Sequence, residues 1–210
     1  MEQNGYGYVM SNAFGFGGND SSIVLSRQPV DLHSGNIQCH RTQVFTCDDN
    51  QDYRQYLSPL QARRMTSSIR NLIVLAKKAL AEANIERPDA IVVATRFGGM
   101  VHTLQLLDNF IANGEQGFSP AQFMNSTHNY AATTLARFLG CKGYNNTVVA
   151  SSNTLDAAVL DACLALSSFV GLKSILVCSY DEVGGEWSEL TDNVRIDIEN
   201  GVKAMVVWSD

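Results

Sequence analysis

Four short, almost unbroken apolar runs constrain the fold of this chain more than any other feature: 90–95, 147–150, 173–179 and 202–208. Each is too short for an ordinary helix, and none alternates apolar with polar residues, so each reads as a strand buried on both faces. The stretches between them carry helical signals. Ser58-Pro59 opens a helical turn, because proline suits a first helical position. Thr66-Ser67-Ser68 caps a longer helix with an apolar stripe at Ile69, Leu72, Ile73, Ala76, Leu80 and Ala83. A similar stripe at Leu104, Leu107 and Ile111 predicts a helix from Met100 to Ala112, stopped by Asn113-Gly114. Ser126 or Thr127 is the expected cap of a helix running to Gly140, and 153–170 is a helix apolar almost all round, hence expected to be buried on most sides. Strands that alternate with helices predict an α/β fold, a mixed and mainly parallel sheet covered by helices. The last strand follows 183–201, which shows no crossover helix, and is therefore expected to run antiparallel.

The bulk numbers narrow the function classes. At 210 residues the chain can bury one good core. With 45% apolar and 17% charged residues it is neither disordered nor fibrous. A net charge of -6 offers no electrostatic footprint for nucleic acid. No apolar run reaches membrane-spanning length, and the polar start Met1-Glu2-Gln3-Asn4 is not a signal peptide, so no membrane partner is expected. The five cysteines (Cys39, Cys47, Cys141, Cys163, Cys178) are odd in number and lack metal-ligand spacing. Cys163 and Cys178 lie in apolar segments and are expected to behave as buried hydrophobes. This usage suits a reducing cytoplasm and predicts neither metal nor cofactor.

Near the start lies Phe14-Gly15-Phe16-Gly17-Gly18-Asn19, within a longer Ser11 to Asp20 string and followed by Ser22-Ile23-Val24-Leu25. Its glycines permit positive φ and close backbone approach, the phenylalanines add bulky apolar faces, and Ile23 to Leu25 reads as a strand leaving the loop. No helix follows the glycines, so a phosphate-binding reading is weak. Residues 28–56 are a connector with one edge strand around Val44-Phe45-Thr46 and an acidic loop at Asp48 to Asp52.

The opening motif resembles the last motif of β-ketoacyl synthases, which in that family closes the C-terminal half. From 56 onward the strings YLSPLQARRMTSSIRNLIVLAKKAL, IVVATRFGGM, GFSPAQFMNSTHNYAATTLARFLG, NTVVASSNTLDAAVLDACLAL and ILVCSYDEV resemble the N-terminal half of the same family. More narrowly, they resemble the chain-length-factor-like subunits of aryl polyene and polyketide clusters. The resemblance implies half of a thiolase-like fold, five strands covered by helices, which normally packs against a second similar half. It divides the chain into a synthase C-terminal-like segment (1–27), the connector (28–56) and an N-terminal-like domain (57–210).

In active synthases the junction after the strand at 147–150 carries the nucleophilic cysteine, where helix N–H groups stabilise a thiolate and an oxyanion. Here Ser151 stands at that position, or Ser152 with a one-residue shift, and no cysteine lies there. The family's two histidine strings are missing too. Of the four histidines, His33 and His40 fall in the connector and His102 starts a helix beside residues that read as surface. His128, in Ser126-Thr127-His128-Asn129, is the candidate base, and a cap or packing role is its alternative. Ser151 and Ser152 read equally as helix-capping residues. Asp156 and Asp161 are expected to pair with backbone or a cation, and Asp181-Glu182 to form a strand-end turn. Phe16, Gly17 and Gly18 correspond to the family's acyl-pocket gate and oxyanion backbone, and Arg63 and Arg64 are candidates for contact with an acidic carrier protein. The reading implied is a non-catalytic subunit paired with an active ketosynthase, or a homodimer, serving acyl carrier protein. The alternative is an acyltransferase or thioesterase-like enzyme acting through Ser151 or Ser152.

Overall fold

The computed structural model describes residues 8–14, 20–26, 39–47, 52–63, 65–117, 119–151, 154–183 and 201–209. The chain divides into two units, Met1–Asn36 and Ile37–Asp210. In the first, β1 (Tyr8–Phe14) and β2 (Asp20–Ser26) form an antiparallel hairpin from Tyr8↔Ser26 to Phe14↔Asp20. The strand expected at Ile23 to Leu25 is the centre of β2, but it belongs to a two-stranded sheet of its own. The glycine loop that joins the two strands lies outside the described residues.

The second unit is a mixed sheet covered by helices on both faces, the α/β architecture expected from the alternating runs. Its elements are β3 (His40–Arg41), β4 (Phe45–Cys47), α1 (Pro59–Ala62), α2 (Ser67–Glu82), β5 (Ala90–Thr95), α3 (Met100–Ala112), α4 (Pro120–Ser126), α5 (Tyr130–Leu139), β6 (Asn145–Val149), α6 (Thr154–Ser168), β7 (Ser174–Asp181) and β8 (Gly201–Trp208). The strand order is β3-β8-β7-β5-β6, with β4 also paired to β8. Parallel pairing is confined to β6, β5 and β7; β8 runs antiparallel to β7, as its missing crossover implied. From Arg41↔Val207 to Phe45↔Ala204 the edge strand carries one residue more than β8, so β3 and β4 are one strand interrupted by a bulge. Thr42 spans the bulge: its N–H donates to the Val206 carbonyl at 3.0 Å, and its Oγ1 accepts from the Val206 N–H at 3.0 Å. In this sense the sheet has the five strands of the expected half-fold.

Local chemistry explains the helix ends. Ser58 caps α1 through a capping box with Gln61, with Pro59 at its first position, and Thr66 Oγ1 caps α2 by accepting from the Ile69 N–H. Gly140 ends α5 with φ +66°, a left-handed conformation that glycine adopts without penalty. The expected cap at Ser126 or Thr127 is corrected. Ser119-Pro120 opens an additional helix, α4, in which Ser126 is the last residue and Thr127 the C-cap, and α5 starts after Asn129.

The alternation of side chains along each strand sorts the core into two layers. Ile91, Val93, Leu176, Cys178 and Val206 face α2 and α5, packing on Leu72, Ile73, Leu80 and Leu135. Val92, Ala94, Ile175, Val177, Met205 and Val207 face α6, packing on Ala158, Ala162, Ala165 and Leu166. Burying one Leu or Ile of this kind contributes roughly 1.5–3 kcal/mol. The helix expected at 100–112 is present but open, and the burial expected on most sides of 153–170 is corrected. On α3 Leu107 is 49% and Ile111 71% exposed, and no residue of that helix is fully buried. On α6 only one side is buried, while Leu160 and Leu164 are 62% and 57% exposed. Apolar composition places a helix against something, but the described chain supplies a partner for one side of α6 only.

Candidate active-site edge

The parallel strands β5, β6 and β7 end together, and the carboxyl edge of such a sheet is where α/β proteins gather functional groups. The register sets Thr95 of β5 beside Val149 of β6, and the Ala150 N–H donates to the Thr95 carbonyl at 3.2 Å. Ser151 follows directly, exposed at this edge. α6 opens at Thr154, so Ser151 lies ahead of the position that would cap it, and Asn153 and Ser152 lie outside the described residues.

The loop leaving β5 is organised by a carboxylate from β7. Asp181 Oδ1 accepts from Thr95 Oγ1 (2.8 Å), Arg96 N–H (3.0 Å), Phe97 N–H (2.7 Å) and Gly98 N–H (3.0 Å), and its Oδ2 accepts from Arg96 N–H at 3.1 Å. Successive backbone N–H groups converging on one anion form a nest. Here the nest is filled by the protein's own carboxylate, so these donors are committed and not offered to a substrate oxyanion. The strand-end turn expected at Asp181-Glu182 is thus a loop anchor, a role the sequence signalled only as an acidic residue ending a strand. Glu182 extends it: its N–H donates to the Gly98 carbonyl at 2.9 Å, and its Oε2 accepts from the buried Tyr180 hydroxyl at 2.8 Å. Burial first, then the neighbouring Glu182 carboxylate, push the Tyr180 phenol far above its ordinary range, and the same two causes raise Tyr130.

Two histidines border this loop. Gly98 has φ +64°, and a Cβ placed there would come within 3.4 Å of the His128 Cα and its ring Cδ2. The positive φ is what calls for glycine here, while a Cβ would only touch His128 at ordinary contact distance. His128 therefore packs on the same loop that abuts Ser151, though among the described residues no hydrogen bond joins the two. His102, the third residue of α3, starts that helix as expected; its ring stands edge-on to Tyr130 at 5.8 Å, and its Nε2 is buried with no hydrogen-bond partner. His40 stacks on Trp208 at 5.7 Å, at the opposite end of the sheet, where Trp208 pairs with Ser174 at the start of β7.

The remaining candidates are scattered. Arg63 is exposed at the C-cap of α1, and Asp156 is exposed on α6. Phe16, Gly17, Gly18, Arg64, Ser152 and His33 lie outside the described residues. Asp161 accepts from the Tyr144 hydroxyl at 3.2 and 3.1 Å, a phenol in place of the expected backbone or cation. Burial, with that carboxylate, pushes Tyr144 up to about 12. Cys178 is fully buried within β7, and burial raises its thiol well above the usual range. Cys163 is only half-buried, which corrects the expectation that it is a buried hydrophobe. Among the described residues no group of three or more His, Cys, Asp or Glu could hold a metal, and no helix is long and apolar enough to cross a membrane.

Comparison with known proteins places this geometry. No curated protein matches the chain significantly in sequence. Among solved structures it is similar to a ketosynthase, ApeO, in complex with its chain length factor, ApeC, from Xenorhabdus doucetiae, with a TM-score of 0.61 and 20% identity over 73% of this chain and 62% of that one. It is similar also to the ishigamide ketosynthase/chain length factor, with a TM-score of 0.63 and 16% identity over 76% of this chain and 48% of that one. A β-ketoacyl synthase from Burkholderia phymatum STM815 aligns with a TM-score of 0.54 and 14% identity over 73% of this chain and 44% of that one. At these identities the likeness is one of fold, and the chain spans roughly half the length of the proteins it matches. Residues 37–196 match the model of the β-ketoacyl synthase N-terminal domain. Covering most of the chain, that match shows that the protein belongs to the β-ketoacyl synthase N-terminal domain family.

Proposed function

We propose that this chain is a non-catalytic, chain-length-factor-like partner of an active ketosynthase in acyl-carrier-protein-dependent fatty acid or polyketide assembly. One observation carries the reading: the strand-to-helix junction that holds the family's cysteine bears Ser151, and the five cysteines all lie elsewhere. An alcohol needs a base within hydrogen-bond reach to become a nucleophile, and Ser151 has no such bond to His128. The neighbouring backbone donors are committed to Asp181.

Two surfaces support an assembled state. The exposed Leu160 and Leu164 of α6 offer an apolar side that a second half-fold would cover. Among the described residues β6 is paired only with β5, which leaves its outer edge open for the strand at 147–150 to meet a partner. In this reading Arg63 and Arg64 serve carrier-protein contact, Phe16 with Gly17 and Gly18 borders the acyl pocket, and residues 1–27 are a synthase C-terminal-like segment. The opposing reading is a serine enzyme using Ser151 or Ser152 with His128, and Ser151 and His128 border one loop.

Co-expression with a ketosynthase encoded beside it, followed by size-exclusion chromatography, tests the first reading, and the expected result is a stable complex. Acyl carrier protein substrates test the second. A covalent acyl adduct by intact mass, lost in Ser151→Ala or Ser152→Ala, would replace the partner reading with an enzymatic one.

A further inference from the structure

The carboxylate at the end of β7 sits in an unusually donor-rich place. The Thr95 hydroxyl and the Arg96, Phe97 and Gly98 N–H groups all reach Asp181 Oδ1 within 3.0 Å. Oδ2 takes only a second branch from the Arg96 N–H, at 3.1 Å. A carboxylate offers about four lone-pair sites over its two oxygens, so four donors on one oxygen make an oxyanion site. The frame of this nest stands without the Asp181 side chain. Thr95 is held in β5, its carbonyl accepts from the Ala150 N–H at 3.2 Å, and its hydroxyl oxygen accepts from the Gly98 N–H at 2.7 Å. The Gly98 carbonyl accepts from the Glu182 N–H at 2.9 Å, and the Glu182 carbonyl accepts from the Val101 N–H at 3.3 Å. Gly99 adds a parallel bridge to Glu182. Asp181 is half-buried, so the nest is within reach of solvent, at the edge where Ser151 is exposed.

We propose that the 95–98 loop is a carboxylate-binding site which the protein occupies with its own Asp181, an internal ligand that keeps external anions from this part of the edge. The contact is autoinhibitory in that sense: the site is built, and the chain itself fills it. A small carboxylate is the ligand class that fits, because three successive N–H groups and a hydroxyl converge where one carboxylate oxygen now lies. Donors fixed by strand pairing need no reorganisation to receive an anion. The tethered carboxylate prevails over free ones because its effective concentration at the nest is high. Removing it leaves the donors in place without an acceptor, a costly state that a free carboxylate of the right size relieves. The inference concerns Asp181 and the loop alone, so it stands apart from whether the chain partners a ketosynthase or acts through Ser151.

The test follows the melting temperature of the full chain, of Asp181→Ala and of Asp181→Asn in sodium formate and in sodium chloride of equal ionic strength. Asp181→Ala leaves room for formate. Its melting temperature should be higher by roughly 2–4 °C in about 0.1 M formate than in chloride, and should climb further with the logarithm of formate concentration. Wild type, whose nest is filled, should not distinguish the two salts. Asp181→Asn keeps a side-chain carbonyl for the nest and should respond less than Asp181→Ala. If Asp181→Ala does not hold its fold in chloride, the two salts are compared during refolding from urea, where formate should restore a native circular dichroism spectrum and chloride should not. An equal formate response in wild type, or no formate-specific effect on Asp181→Ala in either measurement, would overturn the proposal and leave Asp181 a structural anchor only.

Discussion

α2 and α6 are helices of 16 and 15 residues that cover opposite faces of one sheet, yet they are finished to different degrees. α2 buries eight residues, Ile69 to Leu80, and turns charged residues such as Lys77, Lys78 and Glu82 outward. α6 buries four, three of them alanines, and leaves Leu160 and Leu164 open. An amphipathic helix has one apolar side and is complete when that side is covered. A helix apolar all round is complete only when a second layer arrives. Under the proposed partner reading the α2 face serves stability and the α6 face assembly, and mutations should separate the two roles.

The largest effect is expected where packing is closed. Leu72→Ala, at a fully buried site of α2, should cost about 2–5 kcal/mol in urea unfolding of the isolated chain. A loss below about 1 kcal/mol would show that the α2 layer is not the rigid side of the comparison. Next comes the loop at the carboxyl edge of the sheet that these two helices cover. Asp181→Ala removes the acceptor from Thr95 Oγ1 and three backbone N–H groups, and should cost about 2–4 kcal/mol by the same measurement. Asp181→Asn, which keeps one carbonyl oxygen, should lose less.

Tyr144→Phe loosens one flank of α6 and offers a pH signature. The folded pKa of Tyr144, at about 12, lies above its unfolded value near 10. Its contribution is therefore complete below pH ~10 and lost as the pH rises toward ~12. The melting temperatures of wild type and Tyr144→Phe should converge across that window, and a constant gap would mean that the phenol–carboxylate bond is not what holds the flank. The smallest stability effect belongs to the open side. Leu164→Ala should change unfolding by no more than about 0.5 kcal/mol in the isolated chain. Leu160→Asp combined with Leu164→Asp should leave the chain folded yet abolish the ketosynthase complex on a sizing column. If both substitutions left that complex intact, α6 would not be the assembly face.

Much of this layout was legible in the residues. The 90–95 and 100–112 segments match β5 and α3 because short β-branched runs and a 3.6-residue stripe are local signals. Thr66 capped α2 as its side chain predicts. α4 was missed although Ser119-Pro120 repeats the Ser58-Pro59 signal, because a helix of 7 residues shows too little periodicity to stand out. The site was half legible. Ser151 and His128 were named from their strings, but that both border the loop at Thr95 to Gly98 follows from strand register and the packing on Gly98. Asp181 was seen as a turn residue, since nothing local in a sequence shows that a carboxylate will meet N–H groups some 85 positions away.

The sequence alone determined the α/β class, the family and the serines, with no cysteine, that follow the 147–150 run, because each is written in the identity and spacing of neighbouring residues. Only the tertiary structure decided that Asp181 consumes the loop's donors and that, among the described residues, α6 is covered on one side alone. These depend on which strands lie side by side and which way their side chains alternate, and strand pairing is a property of the whole chain.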